Sequence, residues 1–138
     1  MDRMNYKLEN VHRMMIALDK AIDKLQQTID LDEREFIQDS VVARFKILIE
    51  SVWKVIKEYL EQQGFTDIPN SPKGVIELAA ESELITKLEQ DVFIKFWSLR
   101  NFATHLYGQP QYILVVEAAP DALELIKKII ARLETNLD

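Results

Sequence analysis

The residues best suited to chemistry in this 138-residue chain lie together between Arg100 and Tyr107. Arginine, asparagine, threonine, histidine and tyrosine occur there in an otherwise apolar stretch, and His105 is one of only two histidines. On a helix of about 100° per residue, Arg100, Asn101, Thr104, His105 and Tyr107 fall on one arc of about 160°. The opposite arc, which we expect to face a hydrophobic core, holds Leu99, Phe102, Ala103 and Leu106.

These side chains suit phosphodiester chemistry that needs no metal ion. The imidazole of His105 titrates near neutral pH and can act as a general acid or base. The guanidinium of Arg100 can bind a phosphate and stabilise the charge that develops on it. Asn101 can orient the imidazole, and the hydroxyl of Tyr107 can position RNA or accept a modification. In RNA the 2′-hydroxyl supplies the nucleophile, so the protein needs none.

Plainer interpretations of the same arc stay open. An arginine and a histidine near a helix C-terminus stabilise the helix dipole without any further role. Phe93, Ile94 and Trp97 precede the polar residues on about the same side, and we therefore expect a partner subunit to cover part of this face. A non-catalytic binding surface and a dimeric interaction bundle are the alternatives to an enzyme.

Composition excludes several classes of function. The chain has no cysteine, which removes disulfides and thiolate chemistry and favours a reducing cytoplasm. With two histidines and no spaced set of acidic ligands, we expect no metal site and no cofactor. The formal net charge of −6 argues against a broad electrostatic surface for nucleic acid. No apolar run is long enough for a membrane span, and the first residues lack the apolar segment of a signal peptide.

Apolar residues recur at helical spacing along most of the chain. The pattern predicts helices over 3–29, about 33–63, a short stretch after Pro72, about 84–107 and 111–137, the last kinked at Pro120. The apolar residues of the second helix cover more than one face, so that helix should lie centrally. The sequence predicts an all-α, up-and-down four-helix bundle with one additional short helix, in a single domain spanning 1–138.

Local signals mark the ends of these helices. Asp30 or Asp32 is expected to cap the second helix, Gly64 to end it, and Ser71 with Pro72 to begin the short one. The segment 111–116 is rich in β-branched residues, but no other segment could pair with it as a strand, so we predict a helix there. His12 has no second ligand near it and is interpreted as a surface histidine.

Two groups of residues resemble a known family. The segment Arg100-Asn101-x-x-x-His105-x-Tyr107 is similar to the Arg-x-x-x-x-His-x-Tyr form of the HEPN superfamily motif. Arg44-Phe45, the run from Glu50 through Trp53 and Tyr59 to Gly64, Ser71-Pro72 and Ala79 resemble its nucleotidyltransferase substrate-binding branch. The resemblance covers most of the chain.

The resemblance implies a dimeric helical bundle that binds a small nucleotidyltransferase. In HepT-like toxins of this superfamily, the motif arginine and histidine form an RNase site at a dimer cleft, which would be Arg100 and His105 here. Their nucleotidyltransferase antitoxin silences the toxin by AMPylation of the motif tyrosine, which would be Tyr107. Asn101 and Thr104 would support RNA or nucleotide binding. Other members of the branch are non-catalytic substrate-binding subunits, which is the alternative implied.

Overall fold

The helices of this chain form an all-α bundle. The computed structural model describes residues 3–103 and 110–137. Five helices lie within these ranges: α1 (Arg3–Gln27), α2 (Leu31–Gln62), α3 (Pro72–Glu81), α4 (Lys87–Ala103) and α5 (Pro110–Leu137). The four long helices run up and down, and the short α3 lies in the connection between α2 and α4. The predicted four-helix bundle with one additional short helix is confirmed.

The second helix lies at the centre of the bundle. It packs against α1, α3, α4 and α5, and buried side chains occur along most of its length from Val41 to Leu60. Phe45 is fully buried and meets the ring of Phe96 on α4 edge-to-face, with 6.4 Å between centroids. Its breadth of apolar residues correctly predicted this central position, since a helix with only one apolar stripe can bury only one side.

Local sequence sets both ends of α2 and the start of α3 as predicted. The carboxylate of Asp30 accepts a hydrogen bond from the backbone N–H of Glu33, and the hydroxyl of Ser71 accepts one from that of Gly74. Gly64 has a φ of 92°, and the N–H groups beyond α2 bond back to the carbonyls of Leu60 and Glu61. This is the Schellman arrangement, which a glycine accommodates without strain.

The fourth helix begins three residues later than predicted. Thr86 and Glu89 form a reciprocal capping box, in which each side chain accepts a hydrogen bond from the backbone N–H of the other. Leu84 and Ile85, which the pattern placed in the helix, are buried in the connection before it. Both side chains are buried as the helical pattern predicts, but the backbone that buries them is not helical.

The first helix ends at Gln27, two residues short of the prediction. The guanidinium of Arg34 on α2 donates hydrogen bonds to the carbonyl oxygens of Leu25 and Thr28 and so completes this terminus. Ile29, which fitted the apolar stripe, therefore lies in the connection and is 91% exposed. Tyr6, at the other end of the stripe, is also exposed.

The fifth helix is continuous from Pro110, so the helix predicted over 111–116 is confirmed. Pro120 lies inside it. Tyr112 near its start donates a hydrogen bond to Asp39 of α2. Near its end, Arg132 forms two hydrogen bonds with the carboxylate of Glu89, at 2.8 and 3.0 Å, and a third with the carbonyl of Leu84. Within the described ranges, no helix has the length and apolar character required to cross a membrane.

The ion pair between Arg132 and Glu89 shifts the titration of both groups. The hydrogen bonds from Arg132 lower the pKa of Glu89 below its ordinary value of 4.5, against the opposing effect of burial. The same bonds raise the pKa of Arg132. The pair joins the start of α4 to the last turns of α5, and so fixes the orientation of the helix that carries Arg100.

Candidate functional site

Arg100 lies in the last turn of α4 and is held by groups on three sides. Its Nη2 is 3.5 Å from Oε2 of Glu50 on α2, and its Nη1 donates to Oδ1 of Asn101 at 3.2 Å. Its guanidinium carbon lies 4.8 Å from the centre of the Trp97 ring, one turn earlier in the helix. The side chain of Arg100 is 26% exposed. It is therefore both fixed in position and partly accessible from solvent.

Glu50 is a neighbour of Arg100 that the sequence did not predict. On its own helix, Oε1 of Glu50 lies 3.2 Å from Nζ of Lys54. The other carboxylate oxygen faces Arg100, so this one acid connects two cations on different helices. A side chain that already had an i, i+4 partner gave no reason to expect a second, and only the packing of α2 on α4 shows it.

Arg100 itself faces the bundle, whereas Asn101, on the same predicted arc, is exposed. Phe93, two turns before Arg100, is fully buried within the chain itself, and Phe96 is 7% exposed. On the opposite arc, which was expected to face the core, Leu99 packs against the core, whereas Leu88 is 72% exposed. Because Arg100 meets Glu50, the inward side of this turn is polar. Apolar periodicity does not reveal such a polar contact between two helices.

Three of the predicted site residues lie outside the described residues: Thr104, His105 and Tyr107. Among the predicted set, the structure describes Arg100 and Asn101, which are brought together by their own hydrogen bond. In the described part of the chain, no group of three or more His, Asp or Glu side chains lies close enough together to hold a metal ion.

The second histidine belongs to another part of the surface. His12 on α1 is exposed, and its Nε2 lies 3.0 Å from Oε1 of Glu134 on α5. The interpretation of His12 as a surface histidine is confirmed. Its contact with Glu134 links the first and last helices of the bundle.

This arrangement makes Arg100 a suitable receptor for an anion such as a phosphate. An arginine that stacks on an indole and touches a carboxylate loses little conformational entropy when an anion binds. A guanidinium presents its N–H donors in a planar fork that matches two oxygens of a phosphate. Asn101 adds an amide beside it on the exposed side of the helix.

Comparison with known proteins gives a family and a fold. The family model "nucleotidyltransferase substrate binding protein like" matches residues 6–135. A comparison with curated proteins gives no significant match. A crystal structure of a Thermus thermophilus protein is 27% identical, with a TM-score of 0.67, over 84% of this chain and 98% of the other.

Two solved toxin–antitoxin structures share the fold. The tri-AMPylated HEPN toxin of Shewanella oneidensis, in complex with its MNT antitoxin, is 24% identical with a TM-score of 0.78, over 98% of this chain and 99% of the other. A toxin–antitoxin structure with AMP-PNP is 24% identical with a TM-score of 0.76, over 96% and 97%. At this identity the likeness concerns the arrangement of the helices.

Proposed function

Because the chain belongs to the nucleotidyltransferase substrate binding protein-like family, matched over residues 6–135, we propose that it is a HepT-like toxin. In this proposal it is a metal-independent endoribonuclease that a minimal nucleotidyltransferase antitoxin neutralises. The observation that carries the proposal is the fixed position of Arg100, between Glu50 and Trp97 and five residues before His105 in the sequence. The toxin–antitoxin pairs that share the fold support it.

The proposed reaction uses the residues of the motif in separate roles. His105 acts as the general base or acid. The 2′-hydroxyl loses its proton and attacks the adjacent phosphorus, and the bond to the 5′-oxygen breaks as that oxygen gains a proton. Arg100 holds the phosphate and stabilises the negative charge that builds on its oxygens. Asn101 and Thr104 bind the RNA beside it.

We further propose that the active form is a homodimer joined through the outer face of α4. Leu88 is 72% exposed, and Val92 and Leu99, on the same arc of the helix, are half-buried. A second copy would cover this line and close a cleft near Arg100. The dimer would thus supply the partner surface that the sequence led us to expect, although on a different arc.

Regulation would act on Tyr107, two residues after His105. Addition of AMP by the antitoxin would place a bulky phosphodiester on the tyrosine oxygen and occupy the space that RNA needs. This is the role we assign to the nucleotidyltransferase partner. Since the target is cellular RNA, we place the activity in the cytoplasm.

The test is cleavage of RNA by the purified protein in EDTA, with growth after induction as a second readout. We expect cleavage and growth arrest with the natural sequence, and neither with His105→Ala or Arg100→Ala. His12→Ala is the matched control and should behave like the natural sequence. Co-expression of the antitoxin should restore growth and add AMP to Tyr107, as measured by mass spectrometry. Cleavage that survives in His105→Ala would reveal a contaminant and sink the proposal.

The second candidate is a non-catalytic subunit that presents a substrate or nucleotide to the nucleotidyltransferase. The description of the matching family, a substrate-binding protein, favours it. In that case no RNA would be cleaved, and binding of the nucleotide or of the partner enzyme would survive His105→Ala. Isothermal titration with ATP, alone and with the partner enzyme present, separates the two functions.

A further inference from the structure

Three adjoining pockets, each sharing lining residues with the next, form a groove along the seam between α1 and α2. Its widest section has a volume of about 480 Å³ and lies between Lys24, Arg13 and Arg44. Two narrower sections continue from there, one beside Ile47 and the next as far as Lys7 and Lys54. Because an α-helix rises about 1.5 Å per residue, the groove from Lys24 to Lys7 is about 25 Å long. We call it the α1–α2 groove.

The lining of this groove is cationic in an otherwise acidic protein. None of its lining residues is an aspartate or a glutamate, whereas the whole chain has 23 acidic and 17 basic residues. Arg13 and Lys54 have carboxylate neighbours outside the lining, Glu9 at 3.8 Å and Glu50 at 3.2 Å. Both walls carry cations: Lys7, Arg13, Lys20 and Lys24 on α1, and Arg44 and Lys54 on α2.

Two exposed aromatic rings, outside the lining itself, lie on α1 and α2 in the stretches that lead to the two ends of the groove. Phe36, 76% exposed, is one turn before Ser40 on the stripe of α2 that leads to Arg44. Tyr6, 59% exposed, precedes Lys7 on the arc of α1 that holds Asn10 and Arg13. Rings in such positions stack on unpaired bases, while cations between them bind the phosphates.

One end of the groove leads towards Arg100. Lys54 ends the lining on α2 and contacts the same Glu50 carboxylate that holds Arg100. A polyanion in the groove would therefore reach the last turn of α4 without crossing an uncompensated acid, since Glu50 is already paired on both oxygens. This continuity distinguishes the groove from an isolated basic patch.

We propose that the α1–α2 groove binds the backbone of single-stranded RNA and guides the strand to Arg100. This inference deepens the proposed ribonuclease function and rests on it. The net charge of −6 keeps the rest of the surface unfavourable to RNA, so binding is confined to this groove. Phosphates contact the cations of both walls, and bases at the two ends stack on Phe36 and Tyr6.

The test is binding of a fluorescent 2′-O-methyl RNA of about 16 nucleotides, which is longer than the groove and lacks the nucleophile for cleavage. Replacing Lys20 and Lys24 by Gln should weaken binding about tenfold at about 0.1 M salt. It should also make the slope of log K against log salt less steep by about 1.4, or about 0.7 for each phosphate contact. The matched control is Lys73→Gln with Lys128→Gln, which changes the net charge equally on other helices and should leave both quantities unchanged.

Stacking is tested at Phe36. Phe36→Leu removes the ring and should weaken binding of the same RNA about fivefold or more, whereas Phe36→Tyr keeps the ring and should bind normally. Neither change touches the buried core, since Phe36 is 76% exposed. Equal affinity for all three proteins would overturn the assignment of a stacking position.

The outcomes separate this inference from the ribonuclease proposal. If ordinary RNA is cleaved while the lysine and control variants bind equally well, the ribonuclease function stands and the groove assignment is wrong. If the lysine variant binds the uncleavable RNA weakly while no cleavage is seen with ordinary RNA, the groove stands as a binding site and the ribonuclease function fails. Loss of antitoxin binding alone in the lysine variant would overturn the RNA assignment in favour of a protein partner.

Discussion

Glu50 of α2 contacts Arg100 of α4 with one carboxylate oxygen and Lys54 with the other, at 3.5 and 3.2 Å. The acid lies on the central helix of the bundle, and the arginine lies in the last turn of the helix that precedes the motif histidine. Glu50 thus fixes the side chain of Arg100, which we propose binds phosphate, relative to the core of the bundle.

Glu50→Gln tests whether this acid is a positioning residue. The amide keeps the shape of the side chain but loses the charge that orients the guanidinium, so we expect kcat for RNA cleavage to fall about tenfold, with KM changed by less than about threefold. Glu61→Gln, an exposed acid on the same helix, is the control. If thermal stability falls in Glu50→Gln while kcat per folded molecule is unchanged, the role of Glu50 is structural only.

Arg100→Lys keeps the positive charge but removes the planar fork that binds two phosphate oxygens at once. It also removes the flat face that stacks on Trp97 at 4.8 Å. We expect RNA cleavage to fall about 100-fold, as for loss of a donor to a developing oxyanion. Arg3→Lys, at an exposed position, should cleave normally. Normal cleavage by Arg100→Lys would mean that charge alone suffices.

Tyr112→Phe tests the link between α5 and α2. The change removes the hydroxyl that donates to Asp39 and leaves a partly buried carboxylate without that donor, so we expect the free energy of unfolding to fall by about 1–2 kcal/mol. Urea denaturation followed by circular dichroism measures it. In the double variant with Asp39→Asn the two losses should not add, and full additivity would show that the hydrogen bond contributes nothing.

Glu89→Gln removes the charge from the pair with Arg132 but keeps the capping hydrogen bond, since the glutamine side-chain oxygen can still accept from the backbone N–H of Thr86. The pKa of Glu89 is lowered in the folded protein, so its contribution to stability is present above the unfolded value near 4.5 and lost as pH falls through the folded value. At about pH 7 we expect a loss of about 1 kcal/mol, or about 4 °C in melting temperature. At about pH 2 the variant and the natural sequence should unfold alike. A difference that persists there would point to shape, not charge.

Gly74→Ala should destabilise the protein even though alanine favours helices. A Cβ at this position would lie 2.5 Å from Cβ of Pro69 and 2.8 Å from Oγ of Ser71. We expect a net loss of about 1–3 kcal/mol, because the helix N-cap must move to relieve the overlap. Gly64→Ala is a useful comparison. An added Cβ there meets no neighbouring atom within 4 Å, so any loss of stability comes from the φ of 92°, which strains alanine. A gain in stability in Gly74→Ala would show that the loop before α3 yields easily.

The sequence was sufficient to predict the helices and several of their ends, because capping and apolar spacing are local properties. Asp30, Gly64 and Ser71 act where their types predicted. The start of α4 was misplaced because Leu84 and Ile85 satisfy the helical spacing without being helical. Periodicity reports that a residue is buried, but not which backbone conformation buries it.

The surroundings of Arg100 could not be predicted from the sequence, for a different reason. Its motif was recognisable from spacing, but Glu50 lies 50 residues earlier and is brought to it only by the crossing of α2 and α4. The orientation of α4 was predicted only in part, since Leu99 packs against the core as expected while Arg100 turns towards Glu50 on α2. Local sequence determines whether a segment is helical, whereas packing against neighbouring helices determines how the helix is rotated about its axis.

The contact between His12 and Glu134 joins residues 122 positions apart and has a consequence for synthesis. The first helix packs on the fifth, and Arg132 of the fifth fixes the start of the fourth. During translation, Arg100 therefore emerges before the helix that completes its support has been made. A newly made chain cannot complete this fold until α5 has been synthesised. Until α5 has formed, the helix that carries Arg100 lacks the contact between Arg132 and Glu89 that fixes its start.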